Sequence, residues 1–284
     1  MTVIKATVHS AISIVNAIAT GKGATLGISK DVSVEIETSH GKGITVEIGK
    51  RQVNSRLINR VIEKILPKNT LSKTKLRILL DSEIPAGYGL KSSSAISTAV
   101  AMGCAKLFKP AMNDFEILRV GVDASIETKV SLTGAYDDAC ACYFGGFIVT
   151  DNYKRKIIHS KKCQNNISVI IFIPKSRRRG NVKKLKILSD VFEQAWNFAK
   201  KSDYWNAMTL NGFATSAILN SNTEIISKLI ENGALGASIS GNGPSIAAIA
   251  KNETVPKIKK VFSSFEGNVM VAKVNNKKAE VHEL

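Results

Sequence analysis

The stretch Ile84-Pro-Ala-Gly-Tyr-Gly-Leu-Lys-Ser-Ser-Ser-Ala95 holds residue types that can bind phosphate. A strand pattern ends at Pro85. Ala86, Gly87, Tyr88, Gly89 and Leu90 form a loop, Lys91 follows, and Ser92, Ser93 and Ser94 open a helix that runs on through Ala95. Glycines let a backbone turn sharply and approach a ligand closely. The first turn of a helix leaves about four N–H groups unpaired, with partial positive charge, which suits an anion. Lys91 adds a cation, and the serine hydroxyls can donate to phosphate oxygens or face Mg2+. A Gly-rich turn with a serine cap also occurs with no ligand at all. The stretch does not match the G-x-x-x-x-G-K-[ST] phosphate loop, and neither does Ala19-Thr-Gly-Lys-Gly-Ala-Thr25, where Gly23 stands in the Ser/Thr place.

Two further stretches carry chemistry. In Ala237-Ser-Ile-Ser-Gly-Asn-Gly-Pro-Ser-Ile-Ala-Ala248, Gly241, Asn242 and Gly243 sit between two apolar runs. A plain hairpin turn has the same look, but small residues on both sides also suit a nucleotide at close range. Ser131-Leu-Thr-Gly-Ala-Tyr-Asp-Asp-Ala-Cys-Ala-Cys-Tyr-Phe-Gly-Gly146 places Asp137 and Asp138 before a small-residue segment. Either could be a general base, and either could cap a helix. Glu127 could ligate Mg2+, because hard cations take carboxylates and waters, or it could be a surface glutamate.

These residues need elements to hold them. Alternation predicts strands over 2–8, 32–38 and 44–48, and another over 76–84. Helical spacing over 53–66 stops at Pro67, and a second helix spans Ser92–Phe108 before Pro110. Asn113 and Glu116 make a capping box for a helix reaching about Lys129. Gly145-Gly146 breaks the chain before a strand at 147–151, and another apolar strand covers 167–173. Helices follow at about 182–201, 204–219 and 223–231, then strand, turn and strand over 233–250, a helix at 254–265 and a strand at 268–274. Strands and helices mix without strict βαβα alternation, so the expected class is α+β with two lobes. Charge and turn residues at 151–166 place the boundary there, giving lobes 1–155 and 156–284.

Composition narrows the class. Of 284 residues 44% are hydrophobic and 22% charged, which is globular rather than disordered. A chain this long buries about three quarters of its unfolded surface and needs no disulfide or metal staple. Ser168 interrupts the apolar run 167–174, far short of the roughly 20 residues a membrane span needs. The apolar N-terminal stretch has no basic segment before it and is broken by Ser, Thr, His and Asn, so it reads as strand and loop rather than signal peptide. Cys104, Cys140, Cys142 and Cys163 form no C-x-x-C pair and suit reduced thiols in the cytoplasm. The four histidines have no ligand spacing, so a protein-held zinc is not expected. The net charge of +17 fits nucleic acid, small anions or a soluble surface, and no RNA- or DNA-binding motif accompanies it.

Together, Pro85-x3-Gly89-Leu-x-Ser-Ser-Ser-Ala95 resembles the second motif of the GHMP small-molecule kinases, and Ser-Gly-Asn-Gly-Pro-Ser at 240–245 resembles their third. The Asp segment before Gly145-Gly146 falls where their catalytic Asp segment falls. Gly-Leu-Lys-Ser-Ser-Ser-Ala at 89–95, with Asn16-Ala-Ile-Ala-Thr-Gly-Lys-Gly-Ala24, narrows the likeness to the archaeal-type shikimate kinases, and it covers essentially the whole chain. It implies a lobe of ribosomal-protein-S5-like topology, a ferredoxin-like lobe, and ATP and shikimate meeting in the cleft between them. The reaction implied is ATP-dependent phosphorylation of a shikimate hydroxyl, a step of chorismate and aromatic amino acid biosynthesis. Residues 85–95 would wrap the ATP phosphates, with Gly241, Asn242 and Gly243 facing the nucleotide. Ser92 and Glu127 would hold Mg2+.

Asp137 or Asp138 would act on the shikimate hydroxyl. Spacing from Gly145-Gly146 permits both, with Asp137 preferred. Asn16, Lys22, Arg177 and Arg178 are the candidates on the acceptor side, Lys22 and the Arg177–Arg179 cluster being the cations for its carboxylate. The chain departs from the family at Lys91, where Gly is more usual, at Tyr136-Asp-Asp, and at His9-Ser-Ala-Ile12, where a glycine-containing stretch is expected. Neither nucleic acid nor membrane is an expected partner. The alternatives are a homoserine or mevalonate kinase of the same superfamily and, from another class, a basic RNA-binding protein.

Overall fold

The computed structural model describes residues 2–177 and 180–284. Arg178, expected near the acceptor, and Arg179 lie outside the described residues.

The chain opens with two long strands, β1 (Thr2–Val15) and β2 (Lys22–His40), then β3 (Gly43–Ile48) and β4 (Arg51–Val53). Val32, Val34 and Ile36 of β2 turn inward while Ser33, Glu35 and Glu37 take the other face, as a period of two requires. The strands expected at 2–8 and 32–38 are only the alternating parts of β1 and β2. From Ser10 to Val15 every residue of β1 is buried, and the register shifts between His9 and Ser10. Burial on both faces removes the alternation by which such a strand is read.

Helix α1 (Arg56–Ile65) buries Leu57, Ile58, Val61, Ile62 and Ile65 on one side, and Ser55 caps it through the Ile58 N–H. It stops before Pro67. A single turn, α2 (Lys68–Leu71), leads into β5 (Thr74–Ser82). Helix α3 (Ser92–Phe108) is buried along most of its length, and its Ala, Ser and Gly residues let neighbours approach. A Cβ on Gly121 would lie 3.0 Å from Ser97 Oγ, so α4 (Asp114–Glu127) packs closely against α3. The Asn113–Glu116 capping box of α4 is present as expected.

Helix α5 (Tyr136–Phe144) ends at Gly145-Gly146, and β6 (Phe147–Asp151) and β7 (Lys156–Lys161) follow. The first sheet runs β12 (Glu280–Glu283), β1, β2, β5, β3, β4, with β6 added to β2 and β7 to β6. Only β3 and β5 are parallel in it. Strand β7 and the last strand of the chain therefore pair within the first sheet, past residue 155. The returning chain crosses the double glycine: Gly146 N–H donates to the Asn275 carbonyl at 2.6 Å.

The second sheet is antiparallel, in the order β11 (Gly267–Lys273), β8 (Ile167–Pro174), β10 (Ile246–Lys251), β9 (Gly236–Ile239). Helices α8 (Glu224–Glu231) and α9 (Val255–Phe262) share a core with Ile170, Phe172 and Ala248 on one of its faces. The helix expected at 182–201 divides at Ser189 into a 3-10 segment, Val182–Leu188, and α6 (Ser189–Lys200). Helix α7 (Tyr204–Ile218) packs on both β9 and β1 and so joins the lobes. A Cβ on its Gly212 would lie 2.2 Å from the Ala237 carbonyl oxygen, so only glycine permits that contact. The architecture is the expected two-lobed α+β fold. Among the described residues no helix is long and apolar enough to cross a membrane.

Candidate active site

The two glycine turns, 151 residues apart in sequence, touch each other at the junction of the lobes. Gly89 has φ +83°, and a Cβ there would lie 2.0 Å from the Ser240 carbonyl oxygen. Ser240 Oγ donates to the Gly89 carbonyl at 2.9 Å, and the Ser245 N–H donates to the Tyr88 carbonyl at 3.3 Å. Ser13, from the buried end of β1, accepts from the Gly241 N–H at 3.0 Å. Asn16 donates to the Gly241 carbonyl at 2.8 Å. A cleft of about 450 Å³ opens beside this joint, lined by Gly87, Gly89, Lys91, Ser92, Ser93, Ser94, Asp137, Asp138, Gly241 and Asn242.

Two helices present their first turns to the cleft, and each starts from a left-handed residue that is not glycine: Lys91 (φ 62°) before α3 and Ala135 (φ 52°) before α5. Such conformations cost of order 1–3 kcal/mol each and gather at functional sites. No side chain caps α3. Its first backbone bond runs from Ala95 N–H to the Lys91 carbonyl, so the N–H groups of Ser92, Ser93 and Ser94 keep their donor capacity. Among the described residues their hydroxyls have no protein partner.

Lys91 does not reach into open solvent. It is buried, its Nζ donates to Ser13 Oγ at 2.6 Å and lies 2.9 Å from Asp138 Oδ1. Both aspartates line the cleft, and Asp137 is the more buried of the two. Asp137 is 3% exposed, and its Oδ1 accepts from Asn152 Nδ2 at 2.7 Å. Its N–H donates back to Asn152 Oδ1 at 3.0 Å. Gly23 makes room for it, since a Cβ there would lie 2.3 Å from Asp137 Oδ2. Burial, with the Asp138 charge beside it, pushes the Asp137 carboxyl up to about 6. Thr25 Oγ1 stands between the two carboxylates, 3.0 Å from Asp137 Oδ2 and 3.2 Å from Asp138 Oδ1.

Several residues expected at the site are elsewhere. Glu127 lies at the exposed end of α4, where it pairs with Arg60 and with Lys64 at 2.6 Å. Those cations, the Lys64 hydrogen bond foremost, hold its carboxyl below the usual range. It is not itself in the cleft lining, although Ser125 and Val130 on either side of it are. Lys22 is engaged between the lobes, ion-paired to Glu193 and lying over the Trp196 ring at 4.8 Å. Arg177 stacks on the Tyr88 ring at 5.1 Å and is likewise outside the cleft lining. Asn16 lines the cleft, but its amide is used internally: Oδ1 accepts from Ile18 N–H at 2.9 Å while Nδ2 holds Gly241. Lys183, on the 3-10 segment after β8, lines the cleft and makes no ion pair among the described residues.

Ser13, Thr25, Asn152 and Asn211 were not anticipated. Asn211 accepts from the Asn16 N–H at 2.8 Å and donates to Ser238 Oγ at 2.7 Å, a buried polar bridge between lobes. Asn152 sits in the turn after β6 and gives no signal in the sequence. For Ser13, Thr25 and Asn211 the one signal is a small polar residue inside an otherwise apolar element, which costs free energy unless it is bonded. Ser10 follows the same rule. It donates to the Leu90 carbonyl at 2.8 Å, so the unusual His9–Ile12 segment does touch the first glycine loop.

Comparison with known proteins bears on this geometry. Residues 56–146 match the GHMP kinases N terminal domain and residues 205–266 the GHMP kinases C terminal domain. A shikimate kinase of Methanosarcina acetivorans is 38% identical over 274 residues, 94% of this chain and 92% of that protein. Among solved structures, a homoserine kinase from Cytophaga hutchinsonii superimposes with TM-score 0.76 at 19% identity, covering 99% of this chain and 97% of its own. The mevalonate kinase of Methanococcus jannaschii gives TM-score 0.76 at 16% identity, over 96% and 98%. At those identities the likeness is one of fold.

Proposed function

The chain belongs to the GHMP kinases, and from that premise we propose that it is a shikimate kinase, which moves the γ-phosphoryl group of ATP to a hydroxyl of shikimate. The acceptor rests on the likeness to the archaeal shikimate kinases, which spans nearly the whole chain. The observation that carries the chemistry is the ion pair of Lys91 and Asp138, set 2.9 Å apart at the tip of an uncapped helix.

Phosphoryl transfer asks little covalent chemistry of a protein and depends on position and charge. The free N–H groups of Ser92, Ser93 and Ser94 receive the phosphates, with the α3 dipole behind them. Gly89 and Gly241 let backbone approach where a side chain would block it. Mg2+ fits this site. Its octahedral shell keeps waters and phosphate oxygens and needs few protein donors. The uncommitted Ser92 and Ser93 hydroxyls would hold it, and it would neutralise charge on the phosphates. Glu127 has no part in holding it.

Asp138 is the base in this reading, rather than Asp137, which the sequence favours. A base must reach the acceptor proton. Both carboxylates border the cleft, but Asp138 is the more open of the two, and Lys91 keeps it aimed. Asp137 is walled in by Gly23, Thr25 and Asn152. Lys91 in turn presents a buried cation where charge builds in the transition state.

Shikimate brings a carboxylate, and Lys183 is the cation that meets it. Lys22 and Arg177 are spent on other partners or placed elsewhere, while Lys183 stands at the cleft with no carboxylate partner among the described residues. The four buried, unpaired cysteines suit the reducing cytoplasm. An ADP-release assay with shikimate, homoserine and mevalonate tests the assignment. Turnover confined to shikimate supports it, and turnover with either rival alone overturns it.

A further inference from the structure

We propose that Thr25 relays the acceptor's proton from Asp138 to Asp137, so that the more buried carboxylate, not the one in the ion pair, holds it after transfer. The proposal rests on the kinase reading above, though not on which alcohol is the acceptor.

Thr25 is fully buried in β2, with its hydroxyl within hydrogen-bond distance of both carboxylates. A hydroxyl has one proton to donate and two lone pairs to accept with. It can therefore bond to only one anion at a time. Facing two anions is an unfavourable place for it, unless one of them is protonated for part of the cycle. When one is, the arrangement is ideal: the protonated carboxyl donates to Oγ1, and Oγ1 donates to the other carboxylate.

The charged neighbours decide which aspartate keeps the proton. Lys91 lies 2.9 Å from Asp138 Oδ1, so Asp138 already has a cation as its partner. Asp137 is bonded to neutral groups, the Asn152 amide and Thr25 itself. Its charged neighbours are Asp138, which favours protonation, and Lys91, which opposes it less strongly than burial and Asp138 favour it. The Cys140 and Cys142 thiols nearby are held neutral by burial.

The step balances. The acceptor oxygen bonds to the γ-phosphorus, and the bond from that phosphorus to the bridging oxygen breaks, its electron pair leaving with ADP. The acceptor's proton passes to Asp138. Asp138 gives a proton to Thr25 Oγ1, whose own proton moves to Asp137 Oδ2. Thr25 ends unchanged, Asp138 is again an anion beside Lys91, and Asp137 is neutral. Once the products leave, the same path in reverse returns the proton to water.

The test compares wild type with Thr25→Val, Thr25→Ser and Asp137→Asn, each checked for folding by thermal melt. The assay is ADP release with the alcohol that wild type phosphorylates. Thr25→Val, which keeps the shape and loses the hydroxyl, is expected to lower kcat roughly 10- to 100-fold while both KM values stay within about twofold. Asp137→Asn should do the same. The acid limb of the kcat profile should shift in both variants and return in Thr25→Ser. Because Thr25 also bonds Asp137 directly and lowers its carboxyl, a shifted limb with the plateau kcat unchanged overturns the relay. Unchanged kcat in Thr25→Val, or a loss shared equally by Thr25→Ser, overturns the relay. A wild type that ignores shikimate but phosphorylates another alcohol overturns the acceptor instead and leaves the relay to be judged on that alcohol.

Discussion

Ser240 Oγ donates to the Gly89 carbonyl at 2.9 Å, and the carbonyl oxygen of the same serine occupies the space a Gly89 side chain would need. One residue of the second lobe thus both bonds and shapes the phosphate loop of the first. The loop's form is a property of the two lobes together.

Gly89→Ala should therefore damage the site more than an alanine in a turn ordinarily would. The methyl group would meet backbone, not a movable side chain, and the left-handed φ adds strain of about 1–3 kcal/mol. Nucleotide titration and a thermal melt check it. We expect ATP affinity to fall at least roughly tenfold and the melting temperature to drop. Normal affinity would mean that the two turns separate without consequence.

Much of this arrangement is legible in the sequence. Ser92–Phe108 is bounded by Gly, Ser and Pro and falls where helical spacing puts it, and the Asn113–Glu116 capping box marks the next helix. The two glycine turns announce themselves by composition. What fails is partner choice. Glu127 has the right chemistry for Mg2+, but Arg60 and Lys64 lie one helix away and claim it. Lys22 likewise sits in a glycine-rich stretch, yet Trp196 and Glu193, some 170 residues later, take its charge. Ser13 and Thr25 hide inside strands buried on both faces, where nothing in the local pattern separates a working hydroxyl from a tolerated one.

Lys91→Met should act on turnover more than on nucleotide binding. The ammonium is committed to Asp138 and Ser13, so its removal leaves the base without its partner and the transition state without a cation. A drop in kcat of roughly 100- to 1,000-fold is expected, with a smaller change in nucleotide Kd. Steady-state kinetics beside a direct binding measurement separate the two. A loss confined to Kd would return Lys91 to simple phosphate contact.

The pH dependence has a definite sign. Burial and Asp138 raise the Asp137 carboxyl to about 6. Above that value it is an empty anion able to receive a proton. As pH falls through it, solvent supplies the proton first and transfer is impeded. The kcat of wild type should therefore decline on the acid side near pH 6, and Asp137→Asn should not follow that curve. A profile flat through this range would detach Asp137 from turnover.

Glu127→Ala tests the reading that Glu127 takes no part in holding Mg2+. The residue is exposed at the end of α4, close in sequence to Ser125 and Val130 of the cleft wall but not itself part of the lining, and its partners are surface cations. Exposed ion pairs contribute little. The variant should keep kcat and the concentration of Mg2+ needed for half activity within about twofold of wild type. A large rise in the Mg2+ requirement would bring Glu127 back as a ligand.

Lys183→Met should separate the two substrates. If this lysine meets the acceptor's carboxylate, its loss removes a charge-assisted contact of about 1.5–3 kcal/mol, or roughly 10- to 150-fold in affinity. That loss belongs in the KM for shikimate, with the KM for ATP unmoved. Methyl shikimate, which lacks the negative charge, supplies the control. Wild type should handle the ester about as poorly as Lys183→Met handles the acid, and the substitution should change nothing further for the ester. Lys183→Arg keeps the charge and should recover part of the affinity. If instead the ATP KM rises and the shikimate KM stays, Lys183 serves the nucleotide, and the acceptor's carboxylate must be held by another cation of the cleft wall.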